Sequence, residues 1–248
     1  MGSYLSERYL HTTIRNLSMG KVLIDGDIIA YRASFSAQDG SPREAVQKAD
    51  DLVEYVWEQT LDIPFPSEDD YHVYMTGKTN FRTEIGKSAP YKGNRKSERP
   101  IHLNHVREHM LDKYPSTLSE GEEADDLIAI AATNLGPDTI IASIDKDFLQ
   151  VPCRHYNFLR DEWKTVNEFD GIKFFYTQVL TGDAVDNIIG LYRVGPVKAG
   201  KILENCKTEQ EMYEACVKAY DGDVDRVIEN ARLLWLRRKV GEMWEPPG

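Results

Sequence analysis

No apolar run in the 248-residue chain approaches the roughly 18 residues that a membrane-crossing helix needs, and residues 1–20 lack the apolar core of a secretory signal peptide. Cysteine is scarce. Cys153, Cys206 and Cys216 are odd in number and lack metal-ligand spacing, which argues against a disulfide framework or a zinc site and fits reduced thiols in a cytoplasmic setting. The six histidines form no catalytic group: His105 and His109 are four apart, but no third ligand stands near them. Ser-His and Cys-His pairings are missing, so nothing marks a protein nucleophile. There is no internal repeat and no low-complexity tract. Positive charge is in deficit, 30 Lys and Arg against 41 Asp and Glu, for a net charge of −11. Taken alone, that balance argues against a polyanionic partner.

The distribution of charge argues the other way. Residues 78–99 carry seven basic side chains (Lys78, Arg82, Lys87, Lys92, Arg95, Lys96 and Arg99) against only Glu84 and Glu98, a surplus of five. Arg193, Lys198, Lys201 and Lys207 form a second basic group opposed only by Glu204. Such stretches can neutralise phosphates, and Tyr91 within the first could stack on a base. A solvated surface loop is the plainer reading of either group taken alone.

With 41% hydrophobic residues the chain can bury a core. Residues 1–20 read as a polar N-terminal extension. Lys21 to Asp25 and Tyr71 to Met75 read as strands. A helix over 42–60 is expected from Ser41-Pro42-x-Glu44 and the helical spacing of Ala45, Ala49, Leu52, Val53 and Val56. A further helix is expected over 101–113. Asp62 to Asp70 is a connection, and Tyr91 to Lys96 reads as an exposed, mobile element. The densest signal runs from Glu122 to Asp147. Glu122, Glu123, Asp125 and Asp126 open an apolar helix, with Ala124, Leu127, Ile128, Ala131 and Leu135 as its buried face. The β-branched run Thr139 to Ile144 then ends in Asp145-Lys146-Asp147. Strand C-termini and helix N-termini share one edge of a βα sheet, so these carboxylates meet there. They would repel one another unless cations sat between them. Asp25 ends the first strand, and Asp183 and Asp186 repeat an i, i+3 spacing at a further expected helix start. Hard oxygen donors without His or Cys suit Mg²⁺. Acids at helix starts also serve as plain caps. Short helices are expected at 174–182 and 198–203, one after Thr208 and a last one over 223–240. The pattern reads as α/β with a mostly parallel twisted sheet flanked by helices, followed by a C-terminal helical region.

Ile24-Asp25-Gly26, Phe81-Arg82, Tyr91-Lys-Gly-Asn-Arg95, Glu123-Ala-Asp-Asp126, Ser143-Ile-Asp-Lys-Asp147, Thr181-Gly-Asp-Ala-Val-Asp-Asn187 and Val194-Gly195-Pro196 occur in this order. Together they resemble the 5′-nuclease (flap endonuclease) superfamily in its bacteriophage and bacterial form, from about Lys21 to about Leu203. The resemblance implies an α/β nuclease core over 21–180 with an arch segment at about 78–113, and a helical DNA-binding region over 181–248 with a helix–three-turn–helix (helix–hairpin–helix). It implies a 5′→3′ exonuclease or flap endonuclease with two Mg²⁺ ions, for which Mn²⁺ could substitute. Asp25, Glu123, Asp125, Asp126 and Asp145 would serve the first ion; Asp147, Asp183 and Asp186 would serve the second. Lys92 and Arg95 would act on the phosphate. Arg82, Tyr91, Lys96, Gly195, Lys198 and Lys201 would contact DNA, with K⁺ at the hairpin. The partners implied are DNA with a 5′ end, nick, gap or flap and RNA primers; the protein is expected to be a monomer without membrane contact, in the cytoplasm of a host cell if it is phage-encoded.

Two positions depart from the family pattern. Met75 stands where a carboxylate is usual, with Asp27 as a candidate substitute. Arg193 stands at a usual glycine, where a positive φ would strain it. Two rival readings exist. A strand ending Asp25-Gly26-Asp27 also resembles the aspartyl nucleophile of haloacid-dehalogenase-type phosphatases, and a weakened chain could bind DNA 5′ ends without cutting them.

Overall fold

A computed structural model describes residues 21–248 apart from 62, 64, 96 and 97. The N-terminal extension and the Lys96 contact expected above lie outside the described residues. Strand β1 (Val22–Asp25) leads into helix α1 (Gly26–Ser36), then α2 (Pro42–Thr60) and β2 (Tyr71–Met75). A single turn, α3 (Arg82–Ile85), precedes α4 (Leu103–Lys113), β3 (Ser116–Leu118), α5 (Ala124–Leu135) and β4 (Ile140–Ala142). A 3-10 turn over Lys146–Gln150 follows, then the hairpin β5 (Arg154–Asn157) and β6 (Glu162–Thr165), and α6 (Glu168–Thr181). The rest is a two-stranded ribbon, β7 (Gly182–Asp183) and β8 (Ile188–Ile189), with α7 (Pro196–Ile202), α8 (Glu209–Ala219) and α9 (Val224–Leu234).

The main sheet has the order β3-β2-β1-β4-β5-β6, parallel except for β6. The order reverses between β1 and β4, and in such sheets the carboxyl ends of the strands flanking that point open into a crevice. Asp25 ends β1 and Asp145 follows β4, so the crevice is acidic. All four residues of β1 are buried, as expected of a central parallel strand with helices on both faces. Val22, Ile24, Val73 and Met75 pack against α1, α2 and α4 on one face; Leu23 and Ile141 pack against α5 and Phe148 on the other. A third core joins α6 to α7, α8 and α9 through Phe175, Leu180, Leu203, Met212, Val227 and Trp244.

Several expectations change. Helix α4 buries Val106 and Met110 in the core and is no part of an arch; among the described residues, 86–102 hold no helix. Helix α6 begins at Glu168, because Asn167 caps it. Helix α9 stops at Leu234, short of 240. Asp183 and Asp186 sit on a β-ribbon, not at a helix start. Gly182 has φ 66°, and a Cβ there would fall 2.3 Å from the Gly190 nitrogen, so only glycine lets the two strands close.

Candidate active site

Burying carboxylates side by side raises their proton affinity, and that is what the crevice does. Asp25 is 2% exposed and caps α1: its carboxylate accepts the Ile28 N–H at 3.2 Å and the Ser143 hydroxyl at 2.7 Å. Burial, aided by the charges of Asp27 and Asp145 and opposed by those bonds, pushes its pKa to about 7. Asp125, on the first turn of α5, is raised well above the ordinary carboxylate range by burial and by Asp25, Glu123 and Asp145. Asp145 is raised by burial, partly offset by the Asp147 N–H that it accepts at 2.9 Å, with Asp186 and Asp183 adding to the rise. Asp147 is pushed to about 7 by burial and Asp145.

Around this inner group stand acids that already have cations. Lys92 Nζ is bonded to Glu123 and lies 3.8 Å from Asp186, while Arg95 reaches Asp186 at 2.6 Å. The Tyr91 hydroxyl sits between Glu123 (2.8 Å) and Asp186 (3.0 Å), and burial beside these acids drives its pKa far up. Lys146 reaches Asp183 at 3.0 Å; burial would raise the Asp183 carboxyl, but that ion pair and two backbone N–H groups hold it below the ordinary range. The Tyr91–Asn94 turn is thus docked on the β7–β8 ribbon rather than free, with the Lys92 N–H on the Asp186 carbonyl at 2.9 Å and Lys92 itself at φ 54°.

Not every expected site residue belongs to this crevice. Arg82 is 2% exposed and cannot touch a polymer. It grips Asp126 with two bonds, 2.6 and 2.8 Å, and donates to the carbonyls of Leu233 and Trp235. Asp126 is wholly buried, and its oxygens also take the N–H groups of Glu123 and Arg237, so the pair is an internal anchor rather than a DNA contact and a metal ligand. Asp27 does not stand free for Met75: it is bonded to Arg107 and to the Thr76 N–H, and Met75 is buried in the core. Gly195, Lys198 and Lys201 are exposed at α7, and Arg193 adopts a positive φ, 58°. Sequence reasoning gave no role to Gln150, Gln178, Ser143 and Arg237, uncharged or distant in sequence: Ser143 bonds Asp25, Gln178 bonds Asp147, Arg237 bonds Glu122 and Asp126, and Gln150 bonds Gln178.

Among the described residues no three carboxylate, imidazole or thiolate side chains already converge on one point. The donor chemistry nevertheless fits hard divalent cations. Asp25, Asp125 and Asp145 are oxygen donors forced together without a basic partner within 4.0 Å among the described residues, and Lys92, Arg95 and Lys146 fill only the rim. Asp25 fits an aspartyl nucleophile poorly, since both its oxygens are engaged in a buried cap.

With that geometry in hand, comparison with known proteins decides the family. Residues 21–177 match the family described as the 5′-3′ exonuclease, N-terminal resolvase-like domain. The chain belongs to this family. The flap endonuclease Xni of Vibrio campbellii is 36% identical over 135 residues, covering 48% of this chain and 51% of that protein. DNA polymerase I of Caldicellulosiruptor bescii is 26% identical over 249 residues, covering 90% of this chain but only 28% of that protein. The match to DNA polymerase I of Deinococcus radiodurans covers 24% of its length. The chain therefore spans about a quarter of those polymerases. A zinc-bound T5 5′-exonuclease shares the fold at a TM-score of 0.69 and 17% identity, over 87% of this chain and 89% of that one. The bacteriophage T5 D15 flap endonuclease, in a complex with DNA and metal ions, does so at 0.67 and 16%.

Proposed function

We propose that the chain is a divalent-metal-dependent, structure-specific 5′→3′ nuclease that hydrolyses DNA phosphodiesters at 5′ ends, nicks or flaps. The observation that carries this reading is the crevice itself. Buried, mutually repelling carboxylates lie under a rim of basic side chains, and among the described residues no Ser-His or Cys-His pair stands with them. Glu123, Asp125, Asp145 and Asp25 would hold one Mg²⁺ ion; Asp147, Asp183 and Asp186 would hold the other. Ions bound there would supply the charge that lets water attack a phosphodiester at neutral pH.

The chain's own residues do the rest. Lys92 and Arg95 exchange Glu123 and Asp186 for the non-bridging phosphate oxygens and stabilise the charge that grows on them. Tyr91 holds the Lys92 turn against the ribbon and keeps both cations over the acids. The exposed Lys198 and Lys201, with Gly195 at the start of α7, bind the duplex backbone beyond the scissile bond. DNA-bound and metal-bound relatives of the same fold support the reading, as does the family match. The test is a 5′-labelled series of duplex, nicked and flapped substrates, with and without Mg²⁺. Mg²⁺-dependent release of 5′ mononucleotides or intact flaps is expected; no cleavage of any substrate in Mg²⁺ or Mn²⁺ overturns it.

A further inference from the structure

After the last turn of α9 the chain turns extended and crosses beneath the crevice. This strap, counted from Leu233 in that last turn to Arg238, lies beyond the residues matched by the family. It makes two separate polar connections to the acids above.

The first connection runs to α5. The carbonyls of Leu233 and Trp235 accept from Arg82 at 2.9 and 2.7 Å, and Arg82 clamps Asp126. The Arg237 N–H reaches Asp126 at 3.2 Å, its guanidinium reaches Glu122 at 3.1 Å, and it stacks 3.5 Å over Phe81. Asp126 in turn accepts the Glu123 N–H at 3.2 Å. The first turn of α5, with Glu123 and Asp125, is therefore pinned to the strap.

The second connection runs to the 3-10 turn. Leu236 donates its N–H to Gln150 Oε1 at 3.3 Å, which forces the Gln150 amide NH₂ the other way. That NH₂ donates to the Leu234 carbonyl at 2.8 Å and to Gln178 Oε1 at 2.9 Å. With its oxygen committed, Gln178 can only turn its own NH₂ outward, and it donates to Asp147 Oδ1 at 2.6 Å. Gln150 and Gln178 are 1% and 4% exposed, so the link between them is shielded from bulk water. The backbone polarity of the strap thereby dictates that a donor, not an acceptor, faces Asp147.

We propose that the strap is a positioning element that sets the two carboxylate groups in register, with Gln150 and Gln178 as positioning residues for Asp147 and Arg237 and Asp126 as those for Glu123 and Asp125. This rests on the proposed function for the role of the acids. Residues one step behind metal ligands change affinity about 10- to 100-fold when altered.

The test counts bound Mn²⁺ by the loss of the free-ion EPR signal on the full chain, alongside unfolding temperatures in EDTA. Gln178→Met and Gln150→Met are each expected to weaken one of two ions by about tenfold or more, and the double variant no further than the worse single, because both cut the same relay. Gln178→Glu keeps the acceptor for Gln150 but removes the donor, and should weaken the same ion if Gln178→Met does not fold. Glu122→Met combined with Arg237→Met is expected to weaken the other ion. In cleavage assays the Gln178 variants should lower kcat and leave KM unchanged. Folded Gln178 variants that bind both ions like the unaltered chain overturn the inference and leave the proposed function standing. An unaltered chain that binds no Mn²⁺ overturns both.

Discussion

Asp125 and Asp126 are neighbours in sequence with opposite physical situations. Asp125 faces other acids without a direct ion pair; Asp126 is wholly buried but held by the two-pronged grip of Arg82. Asp125→Asn is expected to raise the unfolding temperature of the chain in EDTA, since it removes a repelling charge, while abolishing Mg²⁺-dependent cleavage. Such trade-offs mark functional sites. Asp126→Asn should instead cost about 3–5 kcal/mol in urea unfolding, because it strands a buried guanidinium. Similar effects of the two substitutions would remove the distinction. The sequence could not make it: both acids open the same apolar helix, and only the burial of Arg82, 44 positions away, separates them. Asp145, by contrast, was legible as a strand-end acid. Asp145→Asn should abolish cleavage with DNA binding retained, checked by gel shift in Ca²⁺.

At the scale of elements, strong periodicity was legible and short elements were not. The Ser41 cap and the apolar spacing placed α2 correctly, and β2 runs from Tyr71 to Met75 as read. The three-residue β3 and the two-residue β7 and β8 carry too few side chains for a pattern, so the Asp183 region read as a helix start. The Tyr91 turn read as mobile because its basic residues have no local partners. Its partners, Glu123 and Asp186, lie 32 and 95 positions away for Tyr91 alone. The neck of the ribbon makes this coupling testable. Gly182→Ala must relieve a 2.3 Å clash at φ 66°, and overpacking of that kind costs about 1–3 kcal/mol. The expected result is a lower urea midpoint and faster amide exchange at Asp186 and Lys92 together. Exchange that rises at one and not the other would uncouple the turn from the ribbon.

For the whole molecule, the buried acids set an unusual pH response. Asp25 and Asp147 titrate near 7 when folded against an ordinary 3.8, so they cost stability above pH 7, and the cost is relieved as pH falls toward about 4. His155 works the other way. Burial lowers its pKa from 6.5 to about 4, so the stability it holds above 6.5 is lost as pH falls through that window. Asp50 and Glu229 lie below the ordinary range: burial opposes this, but the Lys113, Tyr114 and His109 contacts to Asp50 and the Ser88 and Lys87 bonds to Glu229 outweigh it, so their contribution is lost at still lower pH. In EDTA the urea midpoint should rise as pH falls from 8 to about 4, because the two acids outnumber the one imidazole, and fall at still lower pH. Mg²⁺ should abolish the rise by stabilising the chain most at pH 8. A midpoint that falls steadily from pH 8 in EDTA would show that the acids are not strained.

The strap also bears on the order of synthesis. Residues 233–238 leave the ribosome after every strand of the main sheet, and half of the acceptors that hold Arg82 are their carbonyls. Until they arrive, a guanidinium and a carboxylate destined for full burial have incomplete partners, and Gln178 has nothing to fix which way its amide points. The acidic crevice thus gains its last fixed partners only after every strand of the main sheet has been made.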